Sequence, residues 1–548
     1  MGTKLDKSTF PSGHGPSDFK CFGPPATKDG EFDSCKIADL GCFTQDGKDS
    51  NKMYHGAICK STKNGKIFVY FEWGRTGATN NQYQFIECSD DADAQDEFKS
   101  QLLSKNLKRG KWEKIGGMDV LRPRVSAKTG KADDLYVVRP MASRSVGLPD
   151  GKTITLNDGA KPKSVPVTSD GVKKASGPVK KYDPQVISLM QDLNVSTVAY
   201  ARVSLVGGAI PMQSAIDEAR LMLMEAQNRV GKLKNATIDQ QVQDKELRDI
   251  TSLVYSRIPK VKPVGAADST WILSSNNILA WRDDLDAFEA ALYAQDNTVA
   301  SVEKDPYDGM AMDMEWISPT SELGKFLYAW WPNATLNRHG GVGKMIIKNA
   351  WKIDRHEDRG KIEKFQARIV AECKGCKERP IKQPSVRNDI FLEGGSKDTL
   401  KTYADTNTSL LFHGTRSVNV SGIMRTSFRL PAELARSGVI INGAMFGGGI
   451  YFADDWKKSA GYTSLRSGYY SAGSGAVKNR GAFMFACDTV LGEAELAPGP
   501  RGYTGAPKGK HCIFGKGGYS QVANNEWITF FKESNKLKYL IEFDTSGY

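Results

Sequence analysis

The chain has 548 residues, 40% of them hydrophobic and 25% charged, a globular composition with apolar surface for about three or four domains rather than one. No run of about 18 apolar residues occurs, the N-terminus lacks the apolar segment of a secretory signal, and no serine stands where a myristoylation motif needs one; membrane span, signal peptide and lipid anchor are all unexpected. The net charge of +12 fits a polyanionic partner and fits a soluble basic protein equally well.

Residues 1–50 are rich in Gly, Pro, Lys and Asp without periodicity and read as a disordered N-terminal arm. The nine cysteines are odd in number and sparse, as in a reducing compartment. Cys21, Cys35, Cys42 and Cys59 are unevenly spaced, and Cys373 and Cys376 lack a second pair. Free thiols are therefore expected, and no metal.

From Met53 the texture changes. A β-rich run at Ile67–Phe71 is followed by a Gly-containing turn and a second strand near Tyr83–Ile86. Ala94, Phe98 and Leu102 then step by four along an amphipathic helix, which ends in a basic cluster of Lys105, Lys108, Arg109 and Lys111. Residues 51–140 thus predict a small α+β domain. Residues 141–181 have linker composition, and the spaced lysines of 173–181 suit a nuclear import signal or a solvated linker equally.

Between 182 and 300 the apolar positions step by three and four. Ile216, Ala219, Leu223, Ala226, Val230 and Leu233 form one stripe; Leu247, Ile250, Val254 and Ile258 another, stopped by Pro259; Trp281, Leu285, Phe288 and Leu292 a third. Such helices need each other's faces, which predicts a bundle with a structural role. From about 301 the chain turns β-rich again, with strands expected at 410–415, 449–454, 482–496, 526–531 and 536–544. In the last, Leu537, Tyr539, Ile541 and Phe543 alternate as in a half-buried strand.

Chemistry concentrates here. His413 ends an apolar strand beside Gly414, where a ligand can reach the backbone, although a lone strand-end histidine is often structural. The stretch FGGGIYFADDWKKSAGY at 446–462 invites a phosphate-loop reading, but its glycines precede a strand and its helix follows, the wrong order for both common phosphate motifs. The order suits a loop hugging a flat ligand, with Tyr451 on one side and Ser459 and Tyr462, three apart on one helix face, on the other. A core tyrosine pair remains the alternative.

Three separated segments, LLFHGTRSVNVSGIMRTSFRL, AMFGGGIYFADDWKKSAGYTS and VANNEWITFF, together resemble the catalytic domain of poly(ADP-ribose) polymerases in the order that family shows. YFEWGRTGATNNQYQF resembles its WGR domain, with Trp73-Gly74-Arg75 as the signature, and the 182–300 bundle is similar to its helical regulatory domain. The resemblance implies a multidomain α+β protein: a WGR nucleic-acid-binding domain, an all-α autoinhibitory domain and, over 301–548, an antiparallel-sheet ADP-ribosyltransferase domain. It implies NAD as a consumed substrate, with His413, Tyr451 and Glu526 as the catalytic triad and Lys458 as helper near the acceptor. Nicotinamide would stack between Tyr451 and Tyr462 and bond Gly414 and Ser459, while His413, Thr415, Asn419 and Arg429 would meet the rest of the dinucleotide. Trp73, Arg75, Lys105, Lys108, Arg109 and Lys111 would bind DNA ends or nicks. Acceptor proteins, the enzyme itself and poly(ADP-ribose) complete the implied partners, without a membrane, in a nucleus or else the cytoplasm of a bacterial host. The sequence departs from the family in lacking paired-cysteine zinc fingers and in Gly448 and Ala444, which put acceptor or chain-length preference in doubt.

Overall fold

The computed structural model describes residues 2–139, 145–147, 153–155, 183–294, 310–336, 341–373, 388–430, 444–466 and 473–546, apart from 22, 45–49, 77, 79, 116–117, 234 and 263–266. Apart from two short paired strands, the 141–181 linker and its lysines lie outside these residues. The chain forms two compact units, residues 1–171 with 201–292, and 172–200 with 293–548.

The first unit begins with strands β1 (Thr3–Lys4), β2 (Phe19–Cys21), β3 (Ile37–Thr44), β4 (Ser50–Ser61), β5 (Ile67–Arg75) and β6 (Gln82–Cys88). Helix α1 (Asp91–Lys105) follows, then β7 (Gly110–Ile115), β8 (Met118–Pro123), β9 (Val137–Val138), β10 (Ser145–Gly147) and β11 (Thr153–Thr155). One sheet runs β1-β6-β5-β4-β3-β9, with β2 beside β4. Its central strand β5 is aromatic and β-branched, and Phe68, Val69, Tyr70 and Phe71 are all buried, so the sheet is covered on both faces. One face takes α1, whose Ala94, Phe98 and Leu102 have no exposed surface. Asp90 caps that helix by accepting from the Asp93 amide.

The other face corrects the reading of residues 1–50 as a disordered arm. Phe19 and Ile37 are buried there with Phe68, Tyr70 and Phe85, and Leu5 and Phe10 pack against them. On the helix side Ala26, Phe32 and Cys35 join the α1 core. The segment carries too few hydrophobics to show a period, but it supplies the aromatics that a two-faced sheet requires.

The helices also divide differently from one bundle. In α2 (Pro184–Ser204), Val186, Leu189, Met190 and Leu193 belong to the core of the second unit. Helices α3 (Gln213–Lys232), α4 (Ile238–Gln243), α5 (Lys245–Arg257), α6 (Asp268–Trp271) and α7 (Ile278–Ala294) follow, and the stripes read from sequence are buried at Ile216, Leu223, Leu247, Val254, Trp281 and Phe288. Within the first unit this helical layer is joined to the sheet: Phe43 of β3 stacks on Tyr255 at 4.9 Å and meets Trp271 edge-on at 5.9 Å. Buried Arg139 donates to the Ser256 carbonyl of α5 (2.6 Å), the Asn51 side chain (3.0 Å) and the Thr76 hydroxyl (3.3 Å).

The second unit comprises β12 (Met312–Trp316), α8 (Glu322–Asn333), β13 (Lys344–Arg355), α9 (Lys361–Glu372), α10 (Asn388–Leu392), α11 (Lys397–Asp405), β14 (Thr408–Gly414), α12 (Val420–Thr426), β15 (Ile450–Phe452), α13 (Trp456–Ala460), β16 (Ala482–Val490), β17 (Ala494–Leu496), β18 (Cys512–Gly515), β19 (Glu526–Thr529) and β20 (Asn535–Ser546). A five-stranded sheet runs β12-β13-β20-β16-β14 and a four-stranded one β15-β19-β18-β17. A bridge between Phe412 and Ala453 links them. The strand expected half-buried at 536–544 is central, and its residues from Leu537 to Phe543 are buried on both faces. The strand expected over 482–496 is broken at Gly492, whose φ of 55° no extended strand can hold.

Candidate active site

In the second unit β14, β15, α13 and β19 converge, and the glycines explain how. A Cβ on Gly414 would lie 1.8 Å from the Ser459 carbonyl oxygen, so the end of β14 and α13 touch backbone to backbone. Gly447 has φ 88°, and its Cβ would meet the Tyr503 carbonyl oxygen at 1.9 Å; at Gly449 it would strike Ile528 of β19 at 2.3 Å. Gly447 and Gly449, which drew attention as a ligand loop, are there because other protein atoms, the Tyr503 backbone and the Ile528 side chain, crowd against them.

His413 and Tyr451 are brought together. The Tyr451 carbonyl can only accept, so His413 Nδ1, 2.9 Å away, donates to it. That leaves Nε2 with its lone pair, a ready acceptor for a hydroxyl. The ring lies 4.4 Å from Phe428 and 5.8 Å from Phe452, and burial in these surroundings lowers its pKa to about 4, so it is neutral near pH 7. The Tyr451 hydroxyl donates to the Gly447 carbonyl (2.8 Å) and accepts from the Phe446 amide (2.9 Å). Its pKa is raised, chiefly by burial.

Glu526 opens β19, adjacent to β15, where Tyr451 pairs with Ile528 and Phe452 with Trp527. Its carboxylate accepts from Lys458 Nζ at 2.6 Å, both side chains largely buried at 8% and 14% exposure. The ammonium also reaches the Tyr462 hydroxyl at 3.4 Å and sits 5.3 Å over its ring. This ion pair joins residues 68 apart in sequence, which no local periodicity could reveal. Behind Glu526 stands an unanticipated group. Asp454 accepts from Asn525 Nδ2 at 2.9 Å and from Trp527 Nε1 at 3.5 Å, holding both neighbours of the glutamate. Burial raises its pKa.

The Ser459 hydroxyl donates to the Phe412 carbonyl at 3.2 Å and is buried, its lone pairs left to accept. Thr415 and Asn419 are buried, and Asn419 Oδ1, Ser417 Oγ and Ser421 Oγ have no protein partner. Such orphaned oxygens suit a polar ligand. Arg429 is exposed. Helix α2 lies along the same segment: Tyr200 accepts from Arg416 at 2.8 Å, with the guanidinium 5.4 Å from its ring, and Thr197 donates to the Val418 carbonyl at 3.1 Å.

In the first unit the residues expected to meet DNA are less uniform. Trp73 is partly buried: its Nε1 donates to Gln82 (3.0 Å), its ring stacks on Tyr54 at 6.2 Å, and Lys7 Nζ lies 5.7 Å from its centroid. Lys105 lies 5.3 Å over Tyr54, its pKa lowered by burial and then by Arg109. Arg75 and Lys108 are exposed; Lys111 is exposed but pairs with Glu113 at 2.7 Å; Arg109 donates to the Ser104 carbonyl. Trp112, overlooked in the sequence, is 49% exposed beside Lys111 on the β7–β8 hairpin.

Residues 344–525 match the family model described as poly(ADP-ribose) polymerase catalytic domain, and residues 41–117 match that of the WGR domain. Poly [ADP-ribose] polymerase 2-B of Oryza sativa subsp. japonica is 38% identical over 112 residues, 20% of this chain and 16% of the relative. Poly [ADP-ribose] polymerase 1 of Xenopus laevis is 21% identical over 501 residues, 88% of this chain and 41% of the relative. Poly [ADP-ribose] polymerase tankyrase of Caenorhabditis elegans is 32% identical over 89 residues, 16% of this chain and 3% of the relative. The chain spans less than half the length of each of these curated relatives. The catalytic match stops at Asn525, one residue short of Glu526.

Proposed function

From a chain whose residues 41–117 match the WGR model and whose residues 344–525 match the poly(ADP-ribose) polymerase catalytic-domain model, we propose an NAD-dependent ADP-ribosyltransferase that releases nicotinamide and builds poly(ADP-ribose) on protein side chains, its own included, under the control of DNA breaks in a nucleus. The observation that carries this reading is the convergence of His413, Tyr451 and the Lys458–Glu526 pair around the Gly414–Ser459 backbone contact.

Each group has a chemical task. The nicotinamide carboxamide bonds the Gly414 backbone and the lone pairs of Ser459, its ring lying against Tyr451 and Tyr462. His413, neutral and with Nε2 free to accept, takes a ribose hydroxyl, and Thr415 and Asn419 meet the far side of the dinucleotide. Cleavage of the bond from ribose to nicotinamide leaves oxocarbenium character on the sugar. A preoriented carboxylate, Glu526, stabilises that charge and orients the incoming hydroxyl. Lys458 fixes the carboxylate, and Asp454 fixes the strand that carries it.

On the nucleic-acid side, Trp73, Arg75, Lys105, Lys108, Arg109 and Lys111 engage a DNA end or nick, with Trp112 as an additional stacking surface. Residues 182–300 restrain the site until DNA binds, and α2, lying against the 415–419 segment, is the element whose placement this requires.

The test is incubation of the full chain with labelled NAD, with and without nicked DNA, and sizing of the products. Long ladders dependent on DNA are expected. Single adducts would replace polymerisation by mono-transfer, and no label at any DNA concentration would leave only a DNA-binding scaffold.

A further inference from the structure

Cys21 and Cys59 are aligned partners on neighbouring antiparallel strands, β2 and β4. The Thr62 amide bonds the Asp18 carbonyl at 2.8 Å, which makes Asp18 and Thr62 a hydrogen-bonded pair. Alternation along the ladder then puts the hydrogen bonds at Lys20–Lys60 and leaves Cys21–Cys59 at a non-hydrogen-bonded position, where Cα atoms stand about 4.5 Å apart and side chains approach most closely. That separation lies inside the range a disulfide spans, at its short end. The neighbouring Cys21, and then burial, raise the pKa of the Cys59 thiol.

The two thiols are unequal. Cys21 is partly exposed and Cys59 is buried. Both belong to the aromatic face of the sheet with Phe19 and Phe68, whereas Cys35 and Cys88 lie on the α1 face. Each of the pair therefore has one cysteine within reach, and the rest of the chain offers no competitor on that face among the described residues.

We propose that Cys21 and Cys59 are a peroxide-responsive thiol pair that closes a reversible disulfide across β2 and β4. The Cys21 thiolate attacks a hydroperoxide oxygen, breaking the O–O bond and giving a sulfenic acid and, from hydrogen peroxide, water. The Cys59 sulfur then attacks the Cys21 sulfur; the S–S bond forms, the S–O bond breaks, and the hydroxyl leaves as a second water with the Cys59 proton. Two thiols are oxidised and one peroxide is reduced. Cys21 is partly exposed, so cellular thiols can reach the bond and reduce it again. Its effect is to pin residues 19–21, which lie before the WGR-matching segment, to a strand within it. This inference does not depend on the transferase reading.

The full chain is reduced, freed of reductant, exposed to graded hydrogen peroxide, quenched with an alkylating maleimide and mapped by mass spectrometry without reduction. The expected result is a peptide linking Cys21 to Cys59 that appears at low peroxide, vanishes with dithiothreitol and is absent from Cys21→Ser and Cys59→Ser. A further expectation is an upward shift of the unfolding midpoint of the oxidised wild type. Oxidation of Cys21 to sulfinic acid while Cys59 remains alkylatable would overturn the proposal. So would linkage of either residue to a different cysteine. The wild-type map decides the matter even where a variant folds poorly.

Discussion

Replacing Lys458 by Met keeps an apolar stem of similar length and deletes the ammonium. Glu526, 8% exposed, would then be a buried carboxylate without its ionic partner. Exposed ion pairs contribute about 0–1 kcal/mol, whereas removing one partner of a buried pair costs about 3–5 kcal/mol, because the remaining charge is stranded. Burial on both sides places this pair in the second class. At about 2–4 °C per kcal/mol for a body of this size, the melting temperature should fall by roughly 10 °C at pH 8. The assay is chemical unfolding of wild type, Lys458→Met and Lys458→Met/Glu526→Gln at pH 8. The double variant should regain most of the loss at pH 8. If the double variant is no better than the single, the ion pair is not what holds this part of the site.

Other expectations follow from particular contacts. His55 is fully buried, with Nδ1 2.8 Å from Asp39, and burial lowers its pKa to about 4, as it does for His413. Both rings should stay neutral at pH 5 in an NMR titration, and each withdraws up to roughly 3 kcal/mol of stability as pH falls from about 6.5 to about 4; titration of either above pH 6 would contradict the structure. Gly447→Ala must move the Tyr503 backbone, 1.9 Å from its new Cβ, and adopt a positive φ besides, so a loss of at least about 1–3 kcal/mol is expected by denaturant unfolding. Asp454→Ala frees both neighbours of Glu526 and should lower kcat for ADP-ribose transfer by roughly a hundredfold with little change in KM for NAD; a rise in KM alone would assign Asp454 to binding. Lys108→Ala should reduce the slope of log affinity for nicked DNA against log salt by about 1, equally for all sequences, and an unchanged slope would remove Lys108 from the interface.

Much of the fold was legible because local chemistry and long-range packing agree. Ala94, Phe98 and Leu102 announce a helix face, and that face is buried. The strands carrying His413, Tyr451 and Glu526 lie where their apolar runs put them. What escaped was information carried by contact across sequence. The Lys458–Glu526 pair spans 68 residues, and Asp454 reads as an ordinary loop carboxylate until Asn525 and Trp527 are brought to it. The stripes of 182–300 predict helices faithfully but not their partners. The same amphipathic pattern serves α2 against the second unit's core and α5 against the sheet of the first. Glycines were misread for a related reason: a missing side chain looks like room for a ligand, while at Gly447 and Gly449 the room is taken by Tyr503 and Ile528.

The aromatic face of the first sheet bears on how the protein can be taken apart. A fragment cut to the WGR match would begin at residue 41 and discard Phe10, Phe19 and Ile37 while keeping Phe68, Tyr70 and Phe85. The freed face would be a flat, water-exposed aromatic surface with unpaired strand edges beside it, the kind of surface on which β proteins self-associate. Aggregation of such a fragment would report the missing lining, not an inability of the domain to fold. Any fragment compared with the whole for DNA binding should therefore retain the chain from before Thr3, where the sheet itself starts.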